Sequence, residues 1–204
     1  MPPSVTLTGH HVQLEPLSPS HVDDLLAAAT ESRDSYGYTW VPDTHASMQS
    51  YVDAAVAEQV AAQSVPYLVR WLDSGRAAGC TRFFDFRAWS GRGQPDTLEI
   101  GHTWYAASAQ RTACNTETKL LLLSHAFENW RASRVQLKTD ARNARSRAAI
   151  ARIGAQFEGI LRSDRPASDG GLRDTAYYSV IAPEWPAVRE SLRHKLSATA
   201  DRSG

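Results

Sequence analysis

Two short stretches decide the reading: Glu99-Ile100-Gly101-His102-Thr103-Trp104 and, a few residues on, Gln110-Arg111-Thr112-Ala113-Cys114-Asn115-Thr116. The first reads as a strand. The second leads into Leu120, Leu123, Phe127 and Trp130, one stripe at helical spacing. Strand, short loop, helix is a chemically pointed arrangement. The first N–H groups of a helix have no partner within it, and the helix dipole adds positive character there, so a loop opening onto a helix start seats an anion. Thr112, Asn115 and Thr116 add side-chain donors, and Arg111 adds charge. The alternative for the same residues is capping by a polar loop, with no ligand.

Outward from this segment, Val12 and Leu14 alternate in an opening strand that ends near Pro16. Ser18-Pro19 reads as a helix start leading into Val22, Leu25 and Leu26. Residues 31–44 have no period and read as an aromatic loop around Tyr36, Tyr38 and Trp40, before a helix from Met48 to Val60. A hairpin over 67–87 turns at Asp73-Ser74-Gly75, and a strand follows over 97–105. Beyond it come helix 115–131, strand 133–140, helix 143–153, strands 155–164 and 172–181, and a short amphipathic helix from Pro183 to Leu196. Hairpins in the first half and helical crossovers in the second predict an α/β chain with a central twisted mixed sheet flanked by helices. Residues 1–196 are expected to form a single domain, with 197–204 a frayed tail.

Composition narrows the function. The 204 residues carry 22 Lys and Arg against 22 Asp and Glu, which argues against a protein that coats nucleic acid or an acidic membrane. The longest aliphatic run, Leu120 to Leu123, is far below the ~20 residues that cross a bilayer. Met1 to Thr6 lack the basic and apolar regions of a signal peptide, so a cytoplasmic protein is expected. Cys80 and Cys114 form neither a disulfide framework nor a metal site, and the histidines have no ligand spacing; no metal is expected.

The loop resembles the acyl-CoA-binding segment of the Gcn5-related N-acetyltransferases, and within them the ribosomal-protein-type branch. Gln110, Ala113 and Asn115 stand at the positions of the pattern Gln/Arg-x-x-Gly-x-Gly/Ala, departing from it at both small residues. Asn115-Thr116-Glu117-Thr118-Lys119 is similar to the helix start of a sub-branch. Thr139 to Ser146 with Ile153-Gly154-Ala155, Arg173 to Ser179, Glu184-Trp185-Pro186, and Gly79 to Arg82 resemble further elements in the same order, over residues 5–196.

The resemblance implies a single-domain acetyltransferase fold and an enzyme that moves the acetyl group of acetyl-CoA to an amine, either a small molecule or a protein N-terminus. The attack is direct, in a ternary complex. Thr103, Trp104, Gln110, Arg111, Thr112, Ala113, Cys114, Asn115, Thr116, Asn143 and Ser146 become the cofactor-binding residues. Cys114 lies by phosphate in that reading and is no nucleophile. Glu99 is the expected base, with His102 sharing the role, since a partly desolvated carboxylate or an imidazole accepts a proton near neutrality; the alternatives are a strand-edge glutamate in a salt bridge and an ordinary hydrogen-bonded histidine. Backbone N–H groups near Thr103 and Trp104 are the expected oxyanion donors. Many relatives carry a tyrosine acid where this chain has Ile150, which leaves Ser146, then Tyr177 or Tyr178, to protonate the thiolate.

Between Arg131 and Arg152 seven cations face one acid, Asp140, which suits a polyanionic nucleotide; RNA fits less well because no aromatic residues interleave. Tyr36, Tyr38 and Trp40 either line an acceptor pocket or pack in the core. The altered glycine positions and Ile150 keep a non-catalytic acyl-CoA-binding module as an alternative, alongside an acyltransferase that uses a different acyl-CoA. The reading leaves room for a homodimer.

Overall fold

One pair of neighbouring strands breaks the pattern of an otherwise antiparallel sheet, and that pair is where the expected site falls. The computed structural model describes residues 4–200. Among these, β1 (Leu7–Thr8), β2 (Val12–Pro16), β3 (Ser64–Trp71), β4 (Ala77–Arg87), β5 (Thr97–Tyr105), β6 (Arg134–Asp140), β7 (Gln156–Pro166) and β8 (Leu172–Ile181) form one sheet. Its order is β1-β2-β3-β4-β5-β6-β8-β7. β5 and β6 run parallel. The helices are α1 (Val22–Thr30), α2 (His45–Val60), α3 (Ala113–Ser124), α4 (Ala144–Ile153) and α5 (Trp185–Ala200).

Local chemistry fixes the helix ends. Thr44 caps α2 by accepting from the Ser47 N–H at 3.2 Å, and Thr112 caps α3 by accepting from the Cys114 N–H at 3.2 Å. Asn143 caps α4 through the Ser146 N–H at 3.0 Å, and Gly154, at φ +106°, closes it in the left-handed conformation that favours glycine.

The structure departs from the sequence reading in three places. β1 was not foreseen. α3 starts at Ala113, two residues early, and passes after Ser124 into a wider π-helical turn over His125–Asn129. The closing helix runs to Ala200, beyond Leu196, so residues 197–200 of the expected tail are helical; 201–204 lie outside the described residues.

β3 is buried without a break from Ser64 to Val69, as a strand covered on both faces must be. α1 packs on α2 and β4, and α2 on β3. In the second half the faces differ. Leu98, Ile100, Val135, Leu137, Tyr178 and Val180 join Ile150 and Ile153 of α4 in the core. Strand alternation turns Glu99, Gln136, Lys138, Tyr177 and Ser179 to the opposite face. The turn between β1 and β2 is held by a carboxylate: Glu117 of α3 accepts from the N–H groups of His10, His11 and Val12 at 2.8, 2.6 and 2.8 Å. Gly9 makes this possible, because a Cβ there would meet the Glu117 carboxyl carbon at 2.4 Å.

β5 carries a bulge. Cys80 lies opposite Trp104, but Arg82 lies opposite Gly101, so β5 has one residue more than β4 over this span. His102, at φ +49°, takes up the excess.

Candidate active site

β5 and β6 pair over three residues, from Thr97 opposite Arg134 to Glu99 opposite Gln136, and then part. From Ile100 to Tyr105 the edge of β5 that faces β6 has no strand partner among the described residues. The loop before α3 and the start of α4 border this wedge. Arg152 donates to the Thr116 hydroxyl at 2.8 Å, and Arg145 donates to the Gln110 side chain at 3.4 Å and to the Ser35 carbonyl. The expected cofactor loop and the Asn143–Ser146 helix start therefore lie side by side.

The loop residues divide by environment. Arg111 is exposed, has no partner among the described residues, and sits at φ +62°, a conformation that turns successive N–H groups into an anion-binding concavity. Gln110 donates to the Ser35 hydroxyl at 2.8 Å and to the Tyr105 carbonyl at 3.1 Å. The Thr112 hydroxyl donates to the Ala109 carbonyl at 2.7 Å besides capping α3. Ala113 and Cys114 are buried, Asn115 is half-buried, and burial pushes the Cys114 thiol up to about 12. Thr116 departs from the expectation. It is buried and its hydroxyl already accepts from Arg152, so its side chain joins two helices instead of facing the loop.

The cationic run also divides. Arg134 pairs with Glu158, Lys138 with Glu99, and Arg142 with Asp140 and Asp169. Arg145, Arg147 and Arg152 donate only to neutral oxygens. α4 thus carries three positive charges that no described carboxylate pairs with.

Glu99 lies at the floor of the other side. It is 1% exposed, and its Oε2 accepts from Lys138 Nζ at 2.7 Å and Gln136 Nε2 at 2.9 Å. Burial raises its proton affinity, against the pull of Lys138. Its partners Gln136 and Lys138 line a crevice of about 710 Å³, together with Phe84, Asp85, Arg87, Arg165 and Tyr177. The Phe84 ring stands 5.0 Å from the His102 ring, edge to face, and 5.5 Å from Lys138 Nζ, so it gathers His102 and the Glu99–Lys138 pair around one crevice. Solvent reaches His102, yet the protein around its ring and then the Arg82 charge lower its pKa, so the imidazole is neutral at pH 7.

The remaining expected residues fall into different places. Ser146 is half-buried; its N–H is held by the Asn143 cap. Ile150 is in the core. Tyr177 faces the crevice, whereas the Tyr178 hydroxyl accepts from Arg147 at 3.0 Å. Tyr36 is buried, with its hydroxyl donating to the Tyr105 carbonyl at 2.9 Å and its ring edge-on to Trp104, so it packs instead of lining a pocket. Tyr38 is exposed beneath Arg142, and Trp40 is exposed beside Tyr51.

Sequence reasoning missed Lys138, Gln136 and, above all, Lys119. Lys119 is 4% exposed, no described carboxylate pairs with it, and its Nζ donates to the Thr103 hydroxyl at 2.9 Å. Thr103 in turn bonds the Thr81 hydroxyl at 2.8 Å. Burial pulls the Lys119 pKa down to about 7. The signal was present: Lys119 precedes the fully buried Leu122 and Leu123 by three and four residues, on the inward face of α3.

A parted parallel pair beside a cationic helix start is what the resemblance to acyl-CoA-dependent acyltransferases implies, and the comparisons show the family. Residues 11–156 match the model of the Acetyltransferase (GNAT) domain, and the chain belongs to that family. A GCN5-related N-acetyltransferase from Brucella melitensis is 27% identical with a TM-score of 0.86, over 96% of this chain and 86% of that one. Mycobacterium smegmatis RimJ in complex with CoA-disulfide shares the fold at 19% identity and a TM-score of 0.76, over 90% and 88% of the two chains. So does the microcin C7 self-immunity acetyltransferase MccE in complex with acetyl-CoA and AMP, at 16% and 0.73, over 85% and 93%. No curated protein sequence matches the chain. The protein is an acetyl-CoA-dependent acetyltransferase. Among the described residues no helix is long and apolar enough to cross a membrane.

Proposed function

We propose that this chain acetylates an amine by direct attack in a ternary complex, with the cofactor in the wedge between β5 and β6 and the acceptor in the crevice that Gln136 and Lys138, the partners of Glu99, line. The observation that carries the reading is the unpaired β5 edge. It runs from the bulge beside Glu99 toward the α3 start, flanked by the unneutralised cations of α4. The donor set fits acetyl-CoA: an open strand edge pairs with an amide-bearing arm, and Arg111, the α3 start and α4 attract phosphates. When bound, acetyl-CoA supplies the activated acetyl thioester.

The chain's own residues do the rest. Glu99, with Lys138 and Gln136 on one carboxylate oxygen, draws the amine proton through the crevice, and burial raises its affinity for that proton. Backbone N–H groups near Thr103 and Trp104, on the strand that the bulge bends, are the donors where negative charge develops. Ser146 gives a proton to a thiolate whose pKa of about 8.5 demands little acid strength. A second reading makes His102 the base, favoured by its neutral, solvent-reached ring on the bulge.

Mixing the protein with acetyl-CoA and an amine panel tests the function. Release of free CoA thiol that depends on the amine is expected, and Glu99→Gln is expected to lower turnover roughly 10²-fold at neutral pH. If the same loss follows His102→Asn and Glu99→Gln stays active, the base is His102. A rise in Tm with acetyl-CoA but no thiol release with any amine identifies a binding module instead.

A further inference from the structure

The polar face of the second half-sheet continues past the Glu99–Lys138 pair. On the β7–β8 hairpin Arg165 and Arg173 are direct cross-strand partners, so two guanidinium side chains stand on one face side by side. Like charges in this position destabilise a sheet, and they persist where something else needs them. One carboxylate answers them. Asp164 accepts from Arg165 Nε at 2.8 Å, but also from the Thr175 hydroxyl at 2.8 Å and the Tyr177 hydroxyl at 3.4 Å. Arg173 Nε donates to the Thr175 hydroxyl at 3.1 Å, and among the described residues no carboxylate lies within ion-pair distance of Arg173. Asp140, on the same face, has both oxygens held by Arg142. The half-buried Arg173 is destabilised in its charged form first by burial and then by Arg165. Arg165 itself lines the crevice, beside Tyr177 and Lys138.

We infer that the crevice selects acceptor amines that also carry an oxyanion, a carboxylate or a phosphate, and that Arg165 and Arg173 are its recognition pair. The inference rests on the crevice being the acceptor side of the reading above. A guanidinium fork matches either oxyanion in two-point geometry, and an incoming oxyanion relieves the repulsion between the two arginines. The strand register fixes the spacing. Lys138, the partner of Glu99, lies opposite Tyr177, and Arg173 is four residues further along β8, roughly 13 Å at the rise of a strand. That spacing is between backbone positions, and the side chains shorten it: Arg165 comes close enough for its charge to act on Glu99. A short peptide or an aminoalkyl phosphate fits the span.

The test uses matched acceptors: a tripeptide and its C-terminal amide, an aminoalkyl phosphate and its parent amino alcohol, and a single amino acid. Acetyl transfer and calorimetric binding are measured with each on the wild type, Arg173→Gln, Arg173→Lys and Arg165→Gln. The wild type is expected to favour the oxyanion-bearing member of a pair at least tenfold in kcat/KM, through KM. Arg173→Gln brings that ratio toward one, while Arg173→Lys, which keeps charge but loses the fork, falls between. The peptide and phosphate arms decide which oxyanion is taken. Equal use of the paired acceptors by the wild type overturns the inference, as does a ratio that Arg173→Gln and Arg165→Gln leave intact. If no acceptor supports thiol release, the function reading fails, and calorimetric preference for the oxyanion-bearing member still decides the site. Thermal melts check folding, and Arg173→Gln, which breaks no ion pair among the described residues, should not lower Tm.

Discussion

Replacing Lys119 by methionine isolates a buried charge beneath the bulge. The native pKa of about 7 against an ordinary 10.5 is a gap of about 3.5 units, or roughly 5 kcal/mol for holding the ammonium in the folded state. The sign follows from proton counting. Between about pH 7 and pH 10.5 the unfolded chain keeps a proton that the folded chain has lost, so stability rises with pH by up to about 1.4 kcal/mol per unit. Below pH 7 both states hold the proton and the penalty is constant. Methionine removes the penalty and gives up one hydrogen bond, worth about 1 kcal/mol, while the Thr103 hydroxyl keeps Thr81. Urea unfolding from pH 6 to pH 9.5, read as variant minus wild type, cancels every other titrating group. The variant is expected to be more stable at pH 6, with its advantage shrinking by about 3 kcal/mol between pH 7 and pH 9.5. A difference that stays flat with pH refutes the reasoning, because Lys119 would then keep its proton in both states.

Three further outcomes follow from the same structure. Glu117→Gln turns an amide NH₂ toward three N–H donors and should cost about 2–4 kcal/mol in urea unfolding, with faster hydrogen exchange at His10, His11 and Val12. Gly79→Ala, at φ +151°, places a Cβ 2.1 Å from the Trp104 carbonyl oxygen, so a loss on the order of 3 kcal/mol or more in chemical denaturation is expected. Ser146→Ala should lower turnover roughly 10-fold, part of it through weaker cofactor binding measured by calorimetry; full activity would move the proton donor to Tyr177 or water.

The fold was legible wherever a period was clean. Thr97 to Tyr105 alternates, Asn143 and Gly154 bracket α4, and Asp73-Ser74-Gly75 marks the hairpin, so these elements stand where spacing puts them. β1 was not legible because two residues have no period; the turn that brings them onto β2 is held by a carboxylate more than a hundred positions away. The site was half legible. Glu99 and the loop from Gln110 to Asn115 stand out through the family resemblance; residue type and position alone leave the loop open to plain capping. That Tyr36 packs against Trp104 while Phe84, Lys138 and Arg165 shape the crevice depends on strand register, and register appears only when β4, β6, β7 and β8 lie side by side. The cationic run misled in part, since a count of charges cannot tell which of them meet a carboxylate after folding.

An enzyme that handles thioesters works beside its own thiols, and any accessible thiolate can capture an acyl group by exchange. Cys114 sits in the first turn of α3, at the proposed phosphate seat, and Cys80 lies opposite Trp104 on the bulge. Both are fully enclosed, burial holds each in the protonated form, and the Cys80 sulfur accepts from the Tyr51 hydroxyl at 3.4 Å. The folded protein is therefore silent toward acyl donors and toward thiol-reactive dyes. Its thiols capture no acyl group, and colour developed with a thiol reagent during turnover reports the released carrier alone.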